Sequence, residues 1–218
     1  MTRAILWDMD GTLLDSEPAH EAAFHGAIGE LGLPVDPAFH DALLGSSSDR
    51  VHAALVKHTG MALSLDGWIA VKWKHFRRER ALIVRRTESA DVAERLACAG
   101  VPMALVSNST RAEVTLGMEM TGLAPCLACT VSRDDVAEGK PAPDGYLLAA
   151  RTLGLDPASC LVVEDSVTGA EAGLAAGMAV LFHAQNGLQT PPDGAVVLAP
   201  DASPGPCIDT FLKNGALP

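Results

Sequence analysis

Two aspartates, Asp8 and Asp10, stand two residues apart directly after the apolar run Ala4-Ile5-Leu6-Trp7. On an extended backbone that spacing points both side chains the same way. Facing carboxylates can divide labour: one attacks an electrophile or binds a metal, while the other, its pKa raised by its neighbour's charge, keeps a proton. Gly11 follows and gives the chain freedom to turn away from the strand. Taken alone, such a pair is better explained by a solvated turn; the hydrophobic run immediately before it is what favours chemistry.

The elements that would hold this pair are legible as short apolar runs at 4–7, 103–106, 161–163 and 179–182. Uniformly apolar runs of this length suit parallel strands covered on both faces. Helix-compatible stretches at 91–99, 111–120 and 146–153 separate them, so right-handed βαβ units in one sheet are expected. The first three runs are followed at once by Asp8, Ser107 and Glu164-Asp165. Open parallel sheets bind ligands at their carboxyl ends, and three distant segments therefore converge on one crevice. Between Leu14 and about Arg85 the pattern turns helical: Ser16-Glu17-Pro18 opens a helix that Gly32 and Pro34 close, and Ile69, Trp73 and Phe76 recur at helical spacing. Trp68 and Trp73 read as core. Beyond Phe182, turns are expected at 191–194 and 203–206, with one edge strand within 194–198.

The segment Asp8-Met9-Asp10-Gly11-Thr12 resembles the first motif of the haloacid dehalogenase superfamily phosphatases. Three further motifs match in order: Val106-Ser107-Asn108-Ser109 resembles the second, Gly139-Lys140-Pro141-Ala142-Pro143-Asp144 the third, and Val163-Glu164-Asp165-Ser166-Val167-Thr168-Gly169-Ala170 the fourth. The resemblance, to the sugar-phosphatase and β-phosphoglucomutase group with a helical cap, implies an α/β fold. A Rossmann-like parallel-sheet core of residues 1–15 and 86–218 would carry an inserted α-helical cap of residues 16–85. It implies a Mg2+-dependent phosphohydrolase acting on a small phosphorylated metabolite such as a sugar phosphate. Asp8 would be the nucleophile that forms an aspartyl-phosphate, and Asp10 the general acid and base. Ser107 and the backbone amide of Asn108 would hold phosphoryl oxygens, and Lys140 would offset their charge. The metal ligands would be Asp8, the carbonyl of Asp10, and Asp165, with Glu164 ligating directly or from behind. In the cap, His20 and the loop containing Gly45, Ser46, Ser48 and Arg50 are the candidates for substrate contact. One departure stands out: where many relatives return from cap to core through Pro-Gly, this chain reads Arg85-Arg86-Thr87-Glu88.

Composition excludes other classes. The 218 residues carry a formal net charge of -11, which repels the phosphate backbone of a nucleic acid. Seven of the 16 basic residues nevertheless cluster at Lys72, Lys74, Arg77, Arg78, Arg80, Arg85 and Arg86, read as a solvated helix face or an electropositive rim for anionic substrates. The five cysteines form no disulfide framework, and Cys126 and Cys129 lack companions for a zinc site, so buried reduced thiols are expected. No signal peptide or apolar span is evident, and a cytoplasmic protein is expected, without a membrane or nucleic-acid partner. It is expected to be a monomer, with a homodimer as the alternative. Competing functions are a sugar-phosphate mutase using the same aspartyl-phosphate, and a binding protein that keeps the fold without activity. Carbon–halogen cleavage is disfavoured because both Asp10 and Asp165 are present.

Overall fold

The computed structural model describes residues 2–36, 39, 43, 48–185 and 189–218. They form two compact units, one of Met1–Asp15 with Val84–Pro218 and the other of Ser16–Ile83.

The first unit is built on six parallel strands, β1 (Ala4–Trp7), β4 (Met103–Val106), β5 (Cys129–Val131), β6 (Cys160–Glu164), β7 (Ala179–Phe182) and β8 (Val196–Val197). Their order across the sheet is β5-β4-β1-β6-β7-β8. The chain runs from β1 outward through β4 to β5, then returns to the other side of β1 for β6, β7 and β8. The strand order therefore reverses at β1, and crevices open at the carboxyl ends of strands at such a switch point. Register sets the strand ends side by side: Trp7 lies opposite Leu105 on one flank and Val163 on the other. Every residue of β1, β4 and β6 is buried, as the absence of polar alternation in these runs requires. Ala4, Leu6, Val162 and Val180 share a core cluster with Tyr146, Ala149 and Ala150 of α6 (Asp144–Leu153) and Ala170 and Ala172 of α7 (Val167–Ala175). Ile5, Trp7 and Leu161 alternate with these and are equally inaccessible, so both faces of the sheet are covered.

Three further helices belong to this unit: α4 (Thr87–Cys98), α5 (Arg111–Thr121) and α8 (Gly205–Asn214). Thr110 starts α5 with a capping box to Glu113, and Gly122, at φ 71°, ends it in the left-handed conformation. A two-residue antiparallel pair, β2 (Leu14–Asp15) with β3 (Val84–Arg85), closes the unit where the chain leaves and returns.

The second unit contains α1 (Glu17–Glu30), α2 (Ser48–Thr59) and α3 (Leu65–Arg78). Phe24, Ala27 and Ile28 of α1 pack with Val51 and Leu55 of α2 and with Trp68 of α3 as its core. Pro18 sits in the first turn of α1, where a missing N–H costs nothing. Glu30 accepts hydrogen bonds from Lys74 (2.7 and 2.8 Å) and pairs with His75 (2.8 Å), tying α1 to α3.

Several expectations change. The segment at 203–206 leads into α8 rather than forming an isolated turn: Pro204 stands at the N-cap position and Pro206 in the first helical turn, where a missing N–H costs nothing. Cys126 and Cys129 are free but only half-buried. Trp73 is also half-buried, stacked on Phe76 and covered by the Arg77 guanidinium 5.7 Å away, whereas Trp68 is fully buried. The basic cluster divides: Arg77, Arg78 and Arg80 are exposed, Arg85 pairs with Glu94 and Asp91, and Arg86 is buried. No described helix is long and apolar enough to cross a membrane.

Candidate active site

Asp8 is the first residue beyond β1 and is 7% exposed. Its N–H donates to the Val163 carbonyl at 3.0 Å, which locks the strand end against β6. The chain then turns sharply, with a bridge between Asp10 and Leu14 and Gly11 at φ 87° donating to the Leu14 carbonyl at 2.7 Å. Gly11 is required twice over: the positive φ disfavours a side chain, and a Cβ there would lie 2.0 Å from the carboxylate of Asp165. Asp165 thus packs directly on the backbone of the first motif.

Lys140 joins the strand ends. Its ammonium donates to Oδ1 of Asp8 at 2.6 Å, to Oε1 of Glu164 at 2.6 Å and to the Val106 carbonyl at 2.9 Å, spanning β1, β6 and β4 in one group. Tyr146 supports it from below, with its ring 5.0 Å from the ammonium and its hydroxyl donating to the same Glu164 oxygen at 3.0 Å. The second oxygen of Glu164 accepts from the N–H groups of Asp165 and Ser166, both at 3.1 Å, and from the Ser166 hydroxyl at 2.9 Å. Five donors occupy a carboxylate that offers about four lone-pair directions. Glu164 is the last residue of β6 and lies over Gly169 in the first turn of α7, where a Cβ would fall 1.6 Å from Oε1.

The loop after β4 completes the cluster. Ser107, 5% exposed, accepts the Ser109 N–H on Oγ at 3.0 Å. Asn108 brackets the backbone of Lys140, donating to its carbonyl at 3.1 Å and accepting its N–H at 2.8 Å. Ser109 donates its hydroxyl to Oδ2 of Asp10 at 2.8 Å.

Electrostatics follow from crowding. One buried ammonium faces the carboxylates of Asp8 and Glu164, with Asp165 and Asp10 nearby. Burial, then Glu164, pushes the Asp8 carboxyl well above the usual carboxylate range, and Lys140 offsets this only in part. Burial and then Glu164 likewise push Asp165 up to about 8. Burial disfavours a charged Lys140, yet Asp8 and Glu164 outweigh it and hold the amine protonated. Asp8, Glu164 and Asp165 offer oxygens within 4.8 Å of one another. An all-oxygen donor set of three carboxyl groups fits a hard divalent cation such as magnesium.

Asp8, Asp10, Ser107, Asn108, Lys140, Glu164 and Asp165 are all gathered at these strand ends. His20, Ser48 and Arg50 belong to the second unit: the His20 ring stacks on Phe76 at 4.4 Å, Ser48 begins α2, and Arg50 is exposed in its first turn. Gly45 and Ser46 lie outside the described residues. Three participants carried no assigned role in the sequence: Tyr146, Ser109 and Arg86. The buried guanidinium of Arg86 donates to the Gly11 carbonyl, and its N–H donates to the Leu13 carbonyl at 3.0 Å, so it braces the turn that follows Asp10. Only the break from the Pro-Gly pattern hinted at it.

The parallel sheet thus gathers carboxylates around one lysine at its strand ends. The model of the haloacid dehalogenase-like hydrolase family matches residues 2–177, and the chain belongs to that family. It is 33% identical over 174 residues to the fructose-1-phosphate phosphatase YqaB of Escherichia coli, covering 80% of this chain and 92% of that protein. It is 31% identical over 182 residues to the bifunctional riboflavin kinase/FMN phosphatase of Arabidopsis thaliana, covering 83% of this chain. The match spans only 48% of that longer protein. Among solved structures, CbbY from Rhodobacter sphaeroides in complex with phosphate superposes with a TM-score of 0.81 at 26% identity, covering 91% of this chain and 94% of that one.

Proposed function

We propose that the protein is a magnesium-dependent phosphatase that hydrolyses a small phosphorylated metabolite, most simply a sugar phosphate, through an aspartyl-phosphate on Asp8. The observation that carries this reading is the Lys140 ammonium 2.6 Å from both Asp8 and Glu164, with Asp165 grouped beside them. The activities for which the YqaB and FMN phosphatase relatives are named support the substrate class.

Asp8, Asp165 and the carbonyl of Asp10 would hold the cation. Glu164, already occupied by five donors, would act from behind them by fixing Lys140 and the loop that carries Asp165. When bound, magnesium supplies the positive charge that lets two anions approach. The Asp8 carboxylate attacks phosphorus, the ester P–O bond breaks, and Asp10 delivers a proton to the departing oxygen. Asp10 then takes a proton from the water that attacks the aspartyl-phosphate, and phosphate leaves. Because Ser107 Oγ accepts from Ser109, its own hydrogen can turn toward a phosphoryl oxygen. Lys140 neutralises charge shared between Asp8 and the phosphoryl group. The unit Ser16–Ile83, with His20, Ser48 and Arg50, is proposed as the cap that selects the substrate.

Release of inorganic phosphate from sugar phosphates, measured with magnesium and with chelator, tests the proposal. Turnover should require the cation and disappear in Asp8→Asn, whose amide is neither nucleophile nor anionic ligand. Isomerisation without phosphate release, or near-normal turnover by Asp8→Asn, would overturn it.

A further inference from the structure

Ser109 stands between two parts of the site without belonging to the set just described. Its hydroxyl donates to Oδ2 of Asp10 at 2.8 Å, across 99 positions of sequence. Its own position is fixed from three directions. The N–H is held by Ser107 Oγ at 3.0 Å, and the carbonyl accepts from the Arg133 N–H at 3.0 Å. The next residue, Thr110, is locked by the capping box that starts α5. A hydroxyl anchored in this way has little freedom beyond its own χ1, so it can define the orientation of the carboxyl it touches. Asp10 lies in the tight turn after β1, its backbone bridged to Leu14.

We propose that Ser109 is a positioning residue for proton transfer. By tying one oxygen of Asp10 it fixes the plane of that carboxyl, so that the proton is presented along the bond to the departing oxygen. The proposal rests on the reading of Asp10 as general acid. It differs from a role in holding the phosphoryl group, because the contact is to Asp10 and not to Ser107 or Lys140. Proton transfer by a placed acid contributes roughly 10²–10⁴-fold, and misplacing that acid removes part of it. The need for the proton depends on the leaving group: an alkoxide is a poor one, whereas p-nitrophenolate departs almost unaided. The quantity kcat/KM reports steps only up to loss of the leaving group, and so excludes the later hydrolysis of the aspartyl-phosphate.

The experiment measures kcat/KM with magnesium for a series of monoesters from ethyl phosphate to p-nitrophenyl phosphate. Ser109→Ala, Ser109→Thr, Ser109→Cys and Asp10→Ala are compared with the unaltered protein. Ser109→Ala is expected to lose about 10–100-fold on the alkyl esters and under about 3-fold on p-nitrophenyl phosphate, steepening the dependence on leaving-group pKa. Ser109→Thr, which keeps the hydroxyl, should restore most of the loss. Ser109→Cys, a weaker donor of similar size, should fall between and supplies the reading if the alanine variant does not fold. Equal losses on both ends of the series, or no loss on the alkyl esters, would overturn the proposal. If Asp10→Ala shows the selective loss and Ser109→Ala does not, Ser109 alone is misassigned. If Asp10→Ala shows none, the acid is not Asp10 and both readings fall.

Discussion

Glu164 has no exposed surface and five donors, and that crowding dictates what can stand beneath it. Gly169 leaves room for the carboxylate; a Cβ there would sit 1.6 Å from Oε1, far inside any tolerable contact. Gly169→Ala must therefore displace Glu164, and Lys140 loses one of the two carboxylates that hold its ammonium in place beside Asp8. The expected result is at least a tenfold fall in kcat/KM, about 1.4 kcal/mol of transition-state stabilisation, together with destabilisation of about 1–3 kcal/mol from the disturbed hydrogen bonds. Steady-state kinetics and urea denaturation of the variant check both figures. Unchanged values would show that the carboxylate is not held as described. The fourth-motif glycine was visible in the sequence, but nothing in its neighbours told why it is there. Its reason is a contact that only the fold creates.

At the scale of elements, the sequence was most informative where pattern and topology coincide. Residues 4–7, 103–106 and 179–182 are strands with the bounds that their apolar runs suggest, while β6 extends one residue beyond its run 161–163 at each end, to Cys160 and Glu164. β5, Cys129–Val131, was missed: it is three residues long, lies at the sheet edge, and is only partly buried, so it carries no distinctive run. α8 was missed because prolines that favour turns also favour the first turn of a helix. The gathered carboxylates and Lys140 were legible through their place after strands and their motif spacing. Arg86, Tyr146 and Ser109 were not, since each acts by a contact with a residue 75, 18 or 99 positions away. Arg86 in particular was grouped with surface charges by its neighbours in sequence, while folding places its guanidinium against the Gly11 carbonyl.

For the whole molecule, of net charge -11, the most consequential acidic cluster is the one where three carboxyl groups meet one lysine. Asp165, pushed up to about 8, holds a proton in the folded chain over a range where the unfolded chain, with an ordinary carboxylate near about 4, does not. The folded state then binds more protons. This contribution to stability is fully present below about pH 4 and is lost as pH rises through about 8. A cation must displace the same protons, so its affinity should rise across that window. Magnesium is accordingly expected to raise the melting temperature more at pH 8 than at pH 5, with proton release detectable by calorimetry in buffers of different ionisation enthalpy. Comparing melts with and without the cation at each pH removes the titration of distant groups. Equal increments at both pH values would contradict this account of the carboxylate cluster.

The most direct measurement is rapid acid quench of a single turnover with magnesium and a sugar phosphate that the protein hydrolyses, followed by peptide mapping by mass spectrometry. A phosphoryl group carried by Asp8 during turnover, and absent from Asp8→Asn, is the predicted result. Phosphate released with no label on Asp8 at any time point, or label on another residue, would contradict it.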